Sequence, residues 1–129
     1  MIRVMIIDDS ILARKALEKT FQTDPEFEVV GMAGNGREAL EKIPQCTPTV
    51  VTCDLEMPVM DGVETLMHLR QKHPGLKVVI LSSLTQPNSK KEQICKNLGA
   101  HAVLAKPMEH SNLKVAEKGL EILSTIKGL

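Results

Sequence analysis

The stretch Val50-Val-Thr-Cys-Asp-Leu-Glu-Met-Pro-Val-Met-Asp-Gly62 decides the fold. Val50 to Cys53 is a short apolar run of the kind that forms a strand covered on both faces. The run stops on a carboxylate, Asp54. A turn at Glu56-Met57-Pro58 follows, and Asp61 stands where a helix N-cap belongs. Val63, Leu66, Met67 and Arg70 then carry helical spacing. One strand, one turn bearing acids and one helix make a βα unit.

The same unit recurs on either side. Apolar runs at Val4 to Ile7, Val29 to Ala33, Val78 to Leu81 and Ala102 to Ala105 predict four further strands. Helical stripes follow them: Leu12, Ala16 and Leu17; Ala39, Leu40 and Ile43; Ile94 and Leu98; Leu113, Ala116, Leu120 and Leu123. Pro44, Pro74 and Pro87 stand where elements should stop, Gly99 suits a helix C-terminus, and Ser111 suits an N-cap. Five consecutive βα units imply an α/β fold, a parallel five-stranded sheet with right-handed crossovers and helices on both faces.

Composition narrows the function. The 129 residues suffice for one domain, and sixteen basic against sixteen acidic residues leave no net charge to draw nucleic acid or anionic lipid. Two Phe and no Trp or Tyr leave no stacking platform for single strands. Direct nucleic-acid binding is therefore not expected. Cys46, Cys53 and Cys95 form no C-x-x-C pair, which argues against a disulfide framework or zinc knuckle and for the cytoplasm. No segment has the length of a membrane span, so no membrane insertion is expected. The apolar run behind the first residues is closed by Asp8 and Asp9 too early for a signal peptide.

The polar residues fall in one place relative to the strands. Asp8 and Asp9 follow the first, Asp54 the third, Ser82 and Ser83 the fourth, and Lys106 the fifth. The carboxyl ends of parallel strands share one edge, where ligands bind, so these residues should meet. Three carboxylates and one ammonium are unfavourable together unless a cation joins them. Mg²⁺, which takes one or two carboxylates plus waters and phosphate oxygens, suits the set, with Asp9 and Asp54 as ligands. Lys106 and the Ser82 hydroxyl would then hold the remaining oxygens of a phosphoryl group attacked in line by Asp54.

Asp8-Asp9-Ser10, Asp54 to Gly62, Leu81-Ser-Ser-Leu-Thr85 and Lys106-Pro107 together resemble bacterial response-regulator receivers over the whole chain. The Glu56-Met57-Pro58 turn and the stretch Ser82 to Thr85 are most similar to the receiver of chemotaxis methylesterases. The resemblance implies a single receiver domain over residues 1–129 with the flavodoxin-like strand order 2-1-3-4-5. It implies Asp54 as phosphoacceptor, Mg²⁺ held by Asp9, Asp54 and the backbone carbonyl of Glu56, and Asp8 acting through a metal-bound water. Ser82 matches the switch hydroxyl, Lys106 the phosphate-binding lysine, and a cis bond is expected before Pro107. A histidine kinase would be the phosphodonor, and a downstream effector the partner of the switched surface. Receivers commonly carry an aromatic residue in the fifth strand, where this chain has Val103. Leu84 and Glu56 match positions bordering the path of the attacking water.

Two other functions compete. A haloacid-dehalogenase-type phosphohydrolase uses similar groups, but its nucleophile comes first with a second Asp two residues later, whereas here the acidic pair comes first and Glu56 follows Asp54. A degenerate receiver acting as a scaffold would not need the complete residue set. No G-x-S-x-G of a serine hydrolase follows, so the chain is expected to be a phosphoacceptor with no esterase domain and no visible output domain, either an independent single-domain regulator or the receiver cut from a longer protein.

Blander assignments suit the rest. Ser83 and Thr85 read as loop hydroxyls, and Met57, Met60 and Met67 as core filling. The spacing of Gly31, Gly34 and Gly36 is not G-x-G-x-x-G, and Asn35-Gly36 reads as a turn. His68, His73, His101 and His110 are assigned to structure or surface, and Lys90, Lys91 and Lys96 to a basic face of the fourth helix.

Overall fold

A computed structural model of the chain describes residues 1–83, 90–107 and 112–129, with side chains of the last segment from 116. The elements alternate as β1 (Ile2–Ile7), α1 (Ile11–Gln22), β2 (Phe27–Ala33), α2 (Gly36–Cys46), β3 (Val50–Asp54), α3 (Gly62–Lys72), β4 (Lys77–Ser82), α4 (Lys90–Asn97), β5 (Ala102–Ala105) and α5 (Asn112–Lys127). All strand pairs are parallel and the order is β2-β1-β3-β4-β5. The expected five βα units and strand order are both present.

Alternation along the strands builds a core on each face. Val4, Ile6, Val50, Val79 and Leu81 point to one face and pack with Leu17 and Phe21 of α1 and Ile122, Leu123 and Ile126 of α5. Met5, Ile7, Val51, Cys53, Val78 and Ile80 point to the other, against Ala39 and Ile43 of α2, Leu66 and Leu69 of α3 and Cys95 of α4. Val103 is partly buried against this second cluster. Gly36 lets α2 approach α3, since a Cβ there would fall 1.9 Å from Thr65 Oγ1.

Several local expectations change. Leu12 and Leu120 are exposed, each at 66%, and Ala116 is exposed too. Leu123 packs in the core as expected, and the rest of the inner face of α5 is set by Gly119, whose missing Cβ lets the helix close on Thr20 of α1, and by Ile122 and Ile126. Spacing alone fits both stripes, and the neighbour picks one. Met67 is exposed, Met57 packs on the core, and Met60 Sδ lies near Gly36. Helix α2 runs through Pro44 to Cys46 before Thr47 closes it in the left-handed region (φ 48°). Continuing costs a backbone bond at Pro44 but keeps Ile43 in the core. Gly99, at φ 100°, ends α4 as expected. Asn35 accepts from the Glu38 amide as N-cap of α2, with Gly36 as the first helical residue. The Lys106–Pro107 bond is trans, not cis, the isomer that X–Pro bonds favour by about 0.5–1 kcal/mol. Leu84, Thr85, Pro87, His110 and Ser111 lie outside the described residues, as do the side-chain contacts of Leu113.

Candidate functional site at the carboxyl edge of the sheet

Strands β1 and β3 are neighbours, so their carboxyl ends bring Asp8, Asp9 and Asp54 together. Each offers a carboxylate oxygen, and the three oxygens lie within 4.8 Å of one another. Asp8 and Asp54 are buried, at 1% and 5% exposure, while Asp9 faces solvent.

Local hydrogen bonds hold these groups. The Asp8 amide donates to Ala33 O at 3.0 Å, anchoring the end of β1 to β2. Asp8 Oδ1 accepts from the Ser10 amide at 2.9 Å, and Ser10 Oγ caps α1 by accepting from Ala13. Arg14, one turn into α1, donates from Nη1 to Asp8 O at 2.7 Å. Asp54 Oδ1 receives a long 3.4 Å bond from the Glu56 amide, and the Leu55 amide donates to Leu81 O. Asp61 caps α3 by accepting from Glu64, which brings Gly62 back over the end of β3.

Lys106 closes the site. Its amide donates to Ser82 O at 2.8 Å, and its Nζ lies 2.8 Å from Asp8 Oδ2 and 3.3 Å from Asp54 Oδ2. Burial lowers the affinity of Lys106 for its proton, but the two carboxylates outweigh it and the net shift is upward. Burial first, and then repulsion by Asp8, push the Asp54 carboxyl up to about 6, against the opposing pull of Lys106. One ammonium does not neutralise the cluster.

The donor set fits a hard divalent cation. Asp8 Oδ2 is buried and, among the described residues, meets Lys106 Nζ at 2.8 Å, which leaves a lone pair on that oxygen. Unused oxygen lone pairs beside two further carboxylates, one of them exposed, suit the oxygen coordination of Mg²⁺ with waters completing it.

Of the residues expected from sequence, Asp8, Asp9, Asp54 and Lys106 converge. Ser82 ends β4 on the same edge, but its hydroxyl donates to Glu92 Oε1 at 3.2 Å. The Glu56 side chain turns outward to Lys91, whose Nζ is 3.2 Å from both carboxylate oxygens. Arg14 and Glu92 were not expected in the site. Both sit on helices, where a charged residue reads as solvated surface, and only the packing of α1 and α4 brings them to the strand ends. His101 is structural as expected, its Nδ1 accepting from the Val78 amide. The basic residue Lys91 of α4 is engaged with Glu56.

Comparison with known proteins agrees with this fold. The model of the response regulator receiver domain matches residues 4–127. Protein-glutamate methylesterase/protein-glutamine glutaminase 2 of Carboxydothermus hydrogenoformans is 41% identical over 128 residues, which cover 99% of this chain and 36% of the relative. The chain thus spans about a third of the length of the curated relatives it matches. The response regulator domain of Thermotoga maritima CheB superposes with a TM-score of 0.88 at 34% identity, covering 99% of this chain and 95% of that one. A structure of the P1 domain of CheA3 in complex with CheY6 from R. sphaeroides gives 0.81 at 36% identity, again over 99% and 95%. The phosphohydrolase reading is not favoured by any of these. The chain belongs to the response-regulator receiver family and carries the receiver domain of a chemotaxis or two-component regulator.

Proposed function

We propose that Asp54 accepts a phosphoryl group from a histidine kinase or a small acyl phosphate, and that this changes the surface offered to an effector. A carboxylate oxygen of Asp54 forms the new bond to phosphorus while the bond from phosphorus to the donor nitrogen or oxygen breaks, its electrons leaving with the donor. The product is an aspartyl phosphate. Asp9, Asp54 and the backbone carbonyl of Glu56 would hold Mg²⁺, with Asp8 acting through a bound water. When bound, the ion supplies positive charge to the phosphoryl oxygens and to the crowded carboxylates.

The chain's own residues do the rest. Lys106 holds the two buried carboxylates now and offers its ammonium to a phosphoryl oxygen as charge develops there. Ser82 offers its hydroxyl to another. The carboxylate cluster around Lys106 at the strand ends carries the reading. The relative solved with a kinase P1 domain supports a histidine kinase as donor. The cytoplasm is the compartment proposed. Among the described residues no helix is long and apolar enough to cross a membrane, and Cys46, Cys53 and Cys95 are free thiols. Incubation with Mg²⁺ and acetyl phosphate should add one phosphoryl mass, absent without Mg²⁺ and absent in Asp54→Ala. No adduct, together with no beryllofluoride-induced change in backbone NMR shifts, would defeat the proposal.

A further inference from the structure

The first turn of α4 grips the rim of the site at two points. Lys91 pairs with Glu56, two residues past Asp54, and the next residue, Glu92, accepts the hydroxyl of Ser82 at 3.2 Å. Ser82 is 7% exposed and Glu92 is half-buried, so this bond is partly shielded from water. A serine hydroxyl has one proton to give. While it donates to Glu92 it cannot donate to a phosphoryl oxygen on Asp54.

We infer that Glu92 is a positioning residue that acts through Ser82, holding the hydroxyl away from Asp54 in the unphosphorylated protein and so opposing phosphorylation; this rests on the function proposed above. The charge-assisted bond from Ser82 to Glu92 must break before the hydroxyl can turn to the phosphoryl group. A contact present only in the unphosphorylated state shifts the equilibrium by its own free energy. Lys91 of the same turn pairs with Glu56. A first-turn glutamate of a helix ordinarily only complements the helix dipole. In that case its removal would loosen α4 without favouring phosphorylation.

The test measures the dissociation constant of beryllofluoride in saturating Mg²⁺, by NMR titration, with Mg²⁺ affinity and thermal melting alongside. Glu92→Ala should bind roughly three- to thirtyfold tighter than wild type, and should label faster with acetyl phosphate. Glu92→Gln, which keeps an acceptor but not the charge, should fall between the two. On a Ser82→Ala background the effect of Glu92→Ala should vanish, because Ser82 transmits it. Binding by Glu92→Ala no tighter than wild type, or an effect that persists without Ser82, would overturn the inference while leaving the phosphoacceptor reading intact. If Glu92→Ala does not fold, Glu92→Gln alone decides by the same criterion. A wild type that binds no beryllofluoride would overturn the phosphoacceptor reading and this inference with it.

Discussion

Gly62 lies so close to the end of β3 that a Cβ on it would fall 2.6 Å from Asp54 O and 2.7 Å from Leu55 Cα. Its amide also donates to Leu55 O at 2.9 Å, so the first residue of α3 rests on the residue that follows Asp54. The atoms in the way are backbone and cannot swing aside. Gly62→Ala should cost about 1–3 kcal/mol of stability and slow phosphorylation of Asp54. Urea unfolding and acetyl phosphate labelling check the two effects together; a variant with wild-type stability would mean that α3 is free to shift.

Lys106→Met keeps most of the side-chain volume and removes the cation between Asp8 and Asp54. Leaving two buried carboxylates without it should destabilise the metal-free protein by about 3–5 kcal/mol at neutral pH. Mg²⁺ held as proposed should recover part of that loss, because it would supply positive charge to the carboxylates that Lys106 now holds. Phosphorylation should stay low even at saturating Mg²⁺. Melting curves with and without Mg²⁺ separate the stability effect from the chemical one.

The Asp54 carboxyl titrates near 6, above its ordinary 3.8, through burial and then through Asp8. Its folded-state pKa is raised, so the fold favours the protonated form. That contribution is complete below about pH 4 and is lost as pH rises through about 6. Asp54→Asn removes the titration. In metal-free buffer the variant should therefore gain stability relative to wild type between about pH 4 and pH 7, and Mg²⁺ should stabilise wild type more than the variant. At limiting Mg²⁺, labelling of wild type should fall as pH drops through about 6, because the neutral carboxyl is a poor nucleophile. A rate independent of pH down to 5 would contradict this.

Arg14 reaches back from α1 to the carbonyl of Asp8 at 2.7 Å, and its charge is felt by Glu38 of α2. Glu38 in turn accepts from the Gly34 amide at 3.2 Å and pairs with Lys42. Arg14→Met should cost about 1.5–3 kcal/mol as a charged donor to a part-buried carbonyl is lost. It should also weaken Mg²⁺ affinity several-fold by freeing the turn that carries Asp8 and Asp9. Isothermal titration with Mg²⁺ measures the second effect, and unchanged affinity would confine Arg14 to stability.

Apolar runs were enough for five strands, capping residues for the Asp61 and Gly99 helix ends, and the parallel order of the βα units for the edge on which Asp8, Asp9, Asp54 and Lys106 meet. Strand ends are local, set by where an apolar run gives way to charge, and parallel strands carry those ends to one side. The exposure of Leu12 and Leu120 was not readable, because a helical stripe has a spacing but no phase until a neighbour chooses it. Gly119 against Thr20 made that choice for α5. The same holds for Arg14 and Glu92. A charged residue on a helix surface has no partner in the sequence, and only the docking of α1 and α4 over the strand ends directs Arg14 to Asp8 and Glu92 to Ser82. The sequence by itself determined the sheet and the acids at its edge, since both follow from local patterning. Tertiary packing decided what restrains those acids, since long-range contacts are made between residues that local patterning does not relate.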